Sequence, residues 1–262
     1  MKRNRFIIPA ILFSPLLLLN SCILNILCVD GNGVPNQIRT DHDFTRIANT
    51  TDADVIYKKG DTYSVSVDAD ENLMKYYTTS VTNNCLRIEI EGTNCVRPVT
   101  PTVIRITAPG LSVITLSGSG NILADTISGP ETGVINSGSG DITISYAESV
   151  TNENSLSGSG DITIEELYSD EITILVTGSG DMTASGIGET GIFTSTGSGQ
   201  NYAGNLELVN CTALISGSGD IYTQVSDEIH ATLTGSGNLY YTGTPQVYQT
   251  TTGSGRIIHL QK

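Results

Sequence analysis

Gly138-Ser139-Gly140-Asp141-Ile142-Thr143-Ile144 returns twenty residues later as Gly158-Ser159-Gly160-Asp161-Ile162-Thr163-Ile164, and again as Gly178-Ser179-Gly180-Asp181-Met182-Thr183-Ala184. Gly-Ser-Gly starts at residues 118, 138, 158, 178, 197, 217, 235 and 253, so its spacing is 20, 20, 20, 19, 20, 18 and 18. A period of that length, filled with Ile, Val, Thr and Leu and poor in helical spacing, is one coil of a solenoid whose repeats bury their apolar faces against each other. The fold class read from this stretch is all-β. Residues 110–262 are expected to form a parallel β-solenoid with about 18–20 residues per coil.

Counting from the second glycine of each triplet gives the register. Offset +2 holds Ile122, Ile142, Ile162, Met182, Asn201, Ile221, Leu239 and Ile257, and offset +4 holds Ala124, Ile144, Ile164, Ala184, Ala203, Thr223, Tyr241 and His259. Apolar residues at alternate positions in the same phase of every repeat mark a strand with one face inward. A second inward wall is expected from Ile172, Ile192, Cys211 and Ala231 at +12, and from Val134, Ile174, Thr194, Ala213 and Leu233 at +14. Cys211 therefore reads as a small buried apolar residue. The glycines are expected to serve close backbone approach and a positive φ.

Upstream, residues 41–109 form a less regular β-rich region. Val55–Tyr57, Tyr63–Val67, Leu86–Glu91 and Val103–Ile106 read as strands, and residues 70–77 as a short helix capped by Asp70. Cys85 and Cys95 flank one of these strands and are either bridged, as an envelope compartment would permit, or two free thiols. Residues 22–40, with Cys28, are expected to be a tether.

The first five residues, Met1-Lys2-Arg3-Asn4-Arg5, precede an apolar run from Phe6 to Leu19 broken by Pro9, Ser14 and Pro15. That is the order of a secretory signal, too short and too broken for a permanent span. Residues 1–21 read as a lipoprotein signal peptide because Leu19-Asn20-Ser21-Cys22 looks like a lipobox, with Cys22 as the lipidated residue. A plain signal, with Cys22 incidental, is the alternative. The net charge of −14 argues against nucleic acid as a partner.

Phe44-Thr45-Arg46-Ile47 followed by Val55-Ile56-Tyr57-Lys58-Lys59-Gly60-Asp61, the lipobox and the Gly-Ser-Gly-Asp/Asn ladder together resemble the head GIN domain family. Its members are auto-transporter adhesin-like proteins common in Bacteroidetes, and the resemblance spans roughly residues 40–262. It implies a β-helical envelope protein and carries over no catalytic residue. In that family a Gly-Ser-Gly-Asn turn stands between the two halves of the N-terminal phrase. Here Thr51-Asp52-Ala53-Asp54 takes its place and reads as a degenerate coil, which would start the solenoid well before Leu111.

Two columns of side chains are candidates for chemistry. Offset +1 carries Asn121, Asp141, Asp161, Asp181, Gln200, Asp220, Asn238 and Arg256. Stacked Asp141, Asp161 and Asp181 would bind calcium or, as ordinary turn chemistry, accept hydrogen bonds from nearby backbone. No other cofactor is implied. Offset +3 points outward and runs Thr143, Thr163, Thr183, Tyr202, Tyr222, Tyr240. Such a column would contact a glycan or a surface protein, and it is also what a solvated strand face selects. The expected function is a noncatalytic, adhesin-like envelope module, lipid-anchored at the outer membrane. A structural component that associates with its own copies is the alternative. A third reading is a polysaccharide-processing β-helix enzyme using Asp141 and Asp161 as an acid/base pair. Minimal, uniform coils leave no insertion to wall a catalytic cleft. His42, His230 and His259 show no ligand spacing.

Overall fold

A computed structural model describes residues 28–40, 43–92 and 95–261. Within them the secondary structure is strand throughout, and most of it belongs to one continuous sheet wound into coils. Residues 1–27, where the signal peptide and the lipidated Cys22 are expected, and His42 lie outside the described residues.

Each regular coil leaves the Gly-Ser-Gly turn and bends through three walls before returning to the next turn. The strands Ile142–Leu156 and Ile162–Val176 each cover all three, pairing in parallel with Ile142 opposite Ile162, Ala147 opposite Leu167 and Leu156 opposite Val176. Of these walls the repeat pattern reveals the first and the last. The middle wall, whose inward residues are Ile127, Ala147, Leu167 and Leu206, is added by the structure. Its second inward position is held by Ser169, Gly188 and Leu208 in successive coils, a mixture with no shared apolar residue type to read as a column.

The predicted inward columns are buried from Ile122 to Leu239, and the half-buried Ile257 and exposed His259 mark the last coil. Ile192 and Thr194 depart from the expectation. They face outward, and Gly191, Phe193 and Ser195 fill the interior instead. The coil between Gly180 and Gly199 is one residue short, and the register steps from Ile164 opposite Ala184 to Leu167 opposite Gly186. Losing a single residue reverses which side chains face inward, because the side-chain period of a strand is two. Gly186, at φ 139°, absorbs the step. The two 18-residue coils lose a pair, so Ala213 lies opposite Ala231 with inward parity kept.

The first coil is Arg46–Asn49, the turn Thr50–Ala53 and Asp54–Lys59, stacked directly beneath Val113–Leu116 and Ile122–Ala124. The degenerate coil is therefore a true one. The chain then leaves the solenoid for about fifty residues and builds its cap. On one wall Cys85–Ile90 pairs in parallel with Arg46–Asn49 and carries Tyr77–Thr82 antiparallel outside it. On the next, Val103–Ala108 pairs in parallel with Asp54–Lys59, followed by Ser64–Asp70 and Pro35–Thr40, both antiparallel.

Three upstream expectations change. Residues 29–40 are not a free tether, because Val29–Asp30 pairs with Val96–Arg97 and Pro35–Thr40 forms the outer strand of the cap. Cys28 bonds to Cys95, and Cys85 keeps a free, half-buried thiol. The reason is which segments lie together: Val29–Asp30 pairs with Val96–Arg97 and brings Cys28 to Cys95 with Cα atoms 4.5 Å apart, whereas Cys85 opens the strand that pairs with Arg46–Asn49. A disulfide needs Cα atoms within about 7 Å. Asp70 ends a strand rather than capping a helix, and residues 71–76 are turns. Its buried carboxylate accepts the N–H groups of Val99 at 2.7 Å and Thr100 at 3.2 Å, tying the cap loop down. Burial alone would raise its pKa, and these hydrogen bonds outweigh burial and lower it.

Candidate functional site

The glycine turns stack backbone on backbone. A Cβ at Gly158 would lie 2.0 Å from the carbonyl oxygen of Gly138, and one at Gly160 would lie 2.0 Å from that of Gly140. None of the Gly-Ser-Gly glycines has a positive φ, so close approach alone requires glycine there. The serine N–H bridges coils: Ser139 donates to Gly118 O at 3.0 Å, Ser159 to Gly138 O at 3.0 Å, and Ser179 to Gly158 O at 3.1 Å. Asn136 braces the turn from inside, donating from Nδ2 to Gly140 O at 2.8 Å while its Oδ1 accepts the Gly138 N–H at 3.0 Å.

The column at offset +1 forms a ladder in which each side chain accepts the backbone N–H of its counterpart one coil on. Asp54 accepts from Asn121, Asn121 from Asp141, Asp141 from Asp161, and Asp161 from Asp181, at 2.7–2.9 Å. Asp181, Gln200, Asp220 and Asn238 continue it to Arg256. Turn chemistry is thus present in a form that no single repeat shows, because the donor belongs to the following coil. It accounts for Asp, Asn and Gln sharing one position, since all three offer an acceptor oxygen of suitable reach. Among the described residues no three His, Cys, Asp or Glu side chains converge as metal ligands.

The column at offset +3 lies on the first wall, facing solvent. Thr143, Thr163 and Thr183 stand in register and are followed by Tyr202, Tyr222 and Tyr240. The tyrosine rings stack on one another, with centroids 5.2 Å apart for Tyr202–Tyr222 and 4.7 Å for Tyr222–Tyr240. Their faces are largely used by neighbouring rings, so the column offers ring edges and hydroxyls to the outside. Burial between its neighbours, reinforced by the Asp220 carboxylate, raises the pKa of the Tyr222 phenol. His230 stacks on Tyr248 at 4.7 Å and lies 3.3 Å from Glu228, while His259 stacks on Tyr241. Cys211 is buried as expected, and burial pushes its thiol up to about 12.

A single capped parallel β-solenoid, with glycine turns along one corner and a hydrogen-bonded Asp/Asn ladder beside it, defines the class of protein. The sequence profile of the family described as "Putative auto-transporter adhesin, head GIN domain" matches residues 43–245, and the chain belongs to this family. Solved structures share the fold. One from Parabacteroides merdae ATCC 43184, described as a "putative adhesin", superposes with a TM-score of 0.81 at 23% identity, over 89% of this chain and 99% of that one. A "putative lipid binding protein" from Parabacteroides distasonis ATCC 8503 gives 0.82 at 26% identity, again over 89% and 99%. A "putative adhesin" from Bacteroides fragilis NCTC 9343 gives 0.69 at 21% identity, over 88% and 100%. No curated protein matches the chain.

Proposed function

We propose that the chain is a noncatalytic, lipid-anchored module of the bacterial cell envelope that binds a glycan or protein through its first wall. The observation that carries this reading is the in-register column Thr143, Thr163, Thr183, Tyr202, Tyr222, Tyr240, which places hydroxyls at strand spacing along the outward side of the first wall. Preorganised rings lose little side-chain entropy on contact. Membership in an adhesin-like family supports a surface role, and the lipobox at Leu19–Cys22 supports the anchor. The carboxylates of Asp141 and Asp161 are engaged by backbone N–H groups, which fits a structural ladder better than an acid/base pair.

Glycan-array binding compared between the parent chain and Tyr202→Ala/Tyr222→Ala/Tyr240→Ala tests the wall. Loss of the bound signal in the triple variant is expected, and unchanged binding would remove the column from the argument. Anchoring is tested by detergent phase partition, in which Cys22→Ser moves the protein into the aqueous phase.

Self-association is a second reading, favoured by one observation. Gln246–Thr251 and Ile257–His259 pair with the preceding coil on one side and with no strand among the described residues on the other. Open strand edges are templates for pairing. A strict monomer by sedimentation at high concentration would count against it.

A further inference from the structure

Between Arg105 and Arg256 the sequence holds 16 Asp and Glu residues and no Lys or Arg. The regular coils are therefore acidic without internal compensation. On the middle wall this charge surrounds apolar surface that the fold leaves uncovered. Ile187 is 54% exposed, Val209 40% and Tyr168 38%, and Tyr168 lies opposite Ile187 in the strand register.

These three side chains form one shelf. Tyr168, Ile187 and Val209 line a hollow of about 560 Å³ whose edge carries Glu148, Asp170 and Glu189. Ile187 and Val209 also line a second hollow, of about 320 Å³, floored by the buried Leu208 and Val225 and edged by Glu207. Apolar side chains are exposed elsewhere on the coils, at Leu123, Ile135, Val150 and Leu214, but Ile187 and Val209 on neighbouring coils line the same two hollows, and that concentration marks a surface with an occupant.

We propose that this shelf docks a cationic segment of a partner protein. One apolar side chain of that segment settles between Ile187 and Val209, and lysines or arginines on either side of it meet the carboxylates. Charge decides the occupant. Anionic chains are repelled by the rim, and a neutral glycan would leave it unmatched, whereas a basic segment is steered in by the field of the whole solenoid and fixed by the apolar contact. The site is on a different wall from the tyrosine column and does not depend on it.

The probe is a fluorescent Lys-Lys-Leu-Lys-Lys peptide, titrated against the full chain by anisotropy at low and at physiological salt. Lys-Lys-Ser-Lys-Lys and Glu-Glu-Leu-Glu-Glu serve as comparisons. Saturable binding is expected for the leucine peptide, about tenfold weaker for the serine peptide and none for the glutamate peptide. Ile187→Ser/Val209→Ser, both at exposed positions, should weaken the leucine peptide about tenfold, and Asp170→Asn/Glu189→Gln/Glu207→Gln at least as much. Glu131→Gln/Glu153→Gln/Glu228→Gln, which removes equal charge from another wall, should change affinity less than twofold. Tyr202→Ala/Tyr222→Ala/Tyr240→Ala should leave it unchanged, separating this proposal from the one above. Circular dichroism confirms that each variant is folded. Three results would overturn the shelf: absent binding, equal affinity for the leucine and serine peptides, or equal weakening by the two charge-removing variants.

Discussion

Two turns of the same shape, built from different residues, show what the repeat requires. Thr51-Asp52-Ala53-Asp54 turns the first coil, and Gly138-Ser139-Gly140-Asp141 turns a later one. Both are braced alike from within: Asn49 Nδ2 donates to Ala53 O at 2.9 Å as Asn136 Nδ2 does to Gly140 O at 2.8 Å. Only the later turn needs glycine. In the stack, the hydrogen that glycine carries in place of Cβ points at the carbonyl of the preceding coil, so Gly118 would strike Thr51 O and Gly138 would strike Gly118 O. The first coil has no coil beneath it. Cap strands lie there instead, with Asp54 donating to Thr102 O and Tyr77 donating its hydroxyl to Asp52, and side chains at Thr51 and Ala53 fit while buried. Glycine in this protein records having a predecessor.

That contrast divides the molecule into a cap of mostly antiparallel paired strands tied by a covalent link, and a stack whose turns approach backbone on backbone. Severing Cys28–Cys95, which closes a span of 67 residues, should cost the cap about 4 kcal/mol in the chain-entropy view. Hydrogen exchange on Cys28→Ser should show protection lost in residues 29–40 and 95–108 and kept beyond residue 142. Uniform loss along the chain would mean that cap and stack unfold as one unit.

Gly158→Ala comes next. With a Cβ forced to 2.0 Å from Gly138 O, the two coils must separate locally, and a cost of roughly 3 kcal/mol is expected in urea unfolding. Parent-like stability would refute the account of the turns. The ladder is weaker because its acceptors are partly solvated. Asp161→Ala orphans the Asp181 N–H and should cost about 1 kcal/mol, while Asp161→Asn keeps an acceptor and should be close to neutral. If both substitutions cost the same, the charge and not the hydrogen bond matters. Ala53→Gly, at the one turn that tolerates a side chain, should cost about 1 kcal/mol through a lost buried methyl and a freer unfolded chain.

The smallest effect is alkaline. Cys211, with its folded thiol raised to about 12, binds its proton more tightly folded than unfolded. Its contribution is therefore complete below the ordinary thiol range and fades as pH climbs from about 9 towards 12. Folded protein should leave Cys211 unalkylated at pH 9 while the half-buried Cys85 reacts slowly. Rapid alkylation of both would place Cys211 outside the core.

Period, parity and turn were legible in the sequence because each is written locally and then repeated: Gly-Ser-Gly marks the corner, and Ile-Thr-Ile marks in, out, in. The degenerate first coil was legible only through the family resemblance, in which a Gly-Ser-Gly-Asn turn stands where Thr51–Asp54 does here. Ile192 and Thr194 were misplaced because one missing residue inverts parity, and the 19-residue spacing from Gly178 to Gly197 shows that a residue is lost but not that the loss precedes Gly186. Of the candidate sites, the sequence supplied the Thr/Tyr and Asp columns as lists of positions. That the tyrosines stack face to face, and that each ladder oxygen serves the next coil, depends on neighbours 18–20 residues away. Cys28 and Cys95, 67 residues apart, meet because Val29–Asp30 happens to pair beside Val96–Arg97. By itself, then, the sequence determined the coil and which side of it faces inward, since backbone sterics and strand alternation act within a few residues. Only the tertiary structure decided the cap, the disulfide and the shape of every exposed surface, because those are set by which segments come to lie against one another in space.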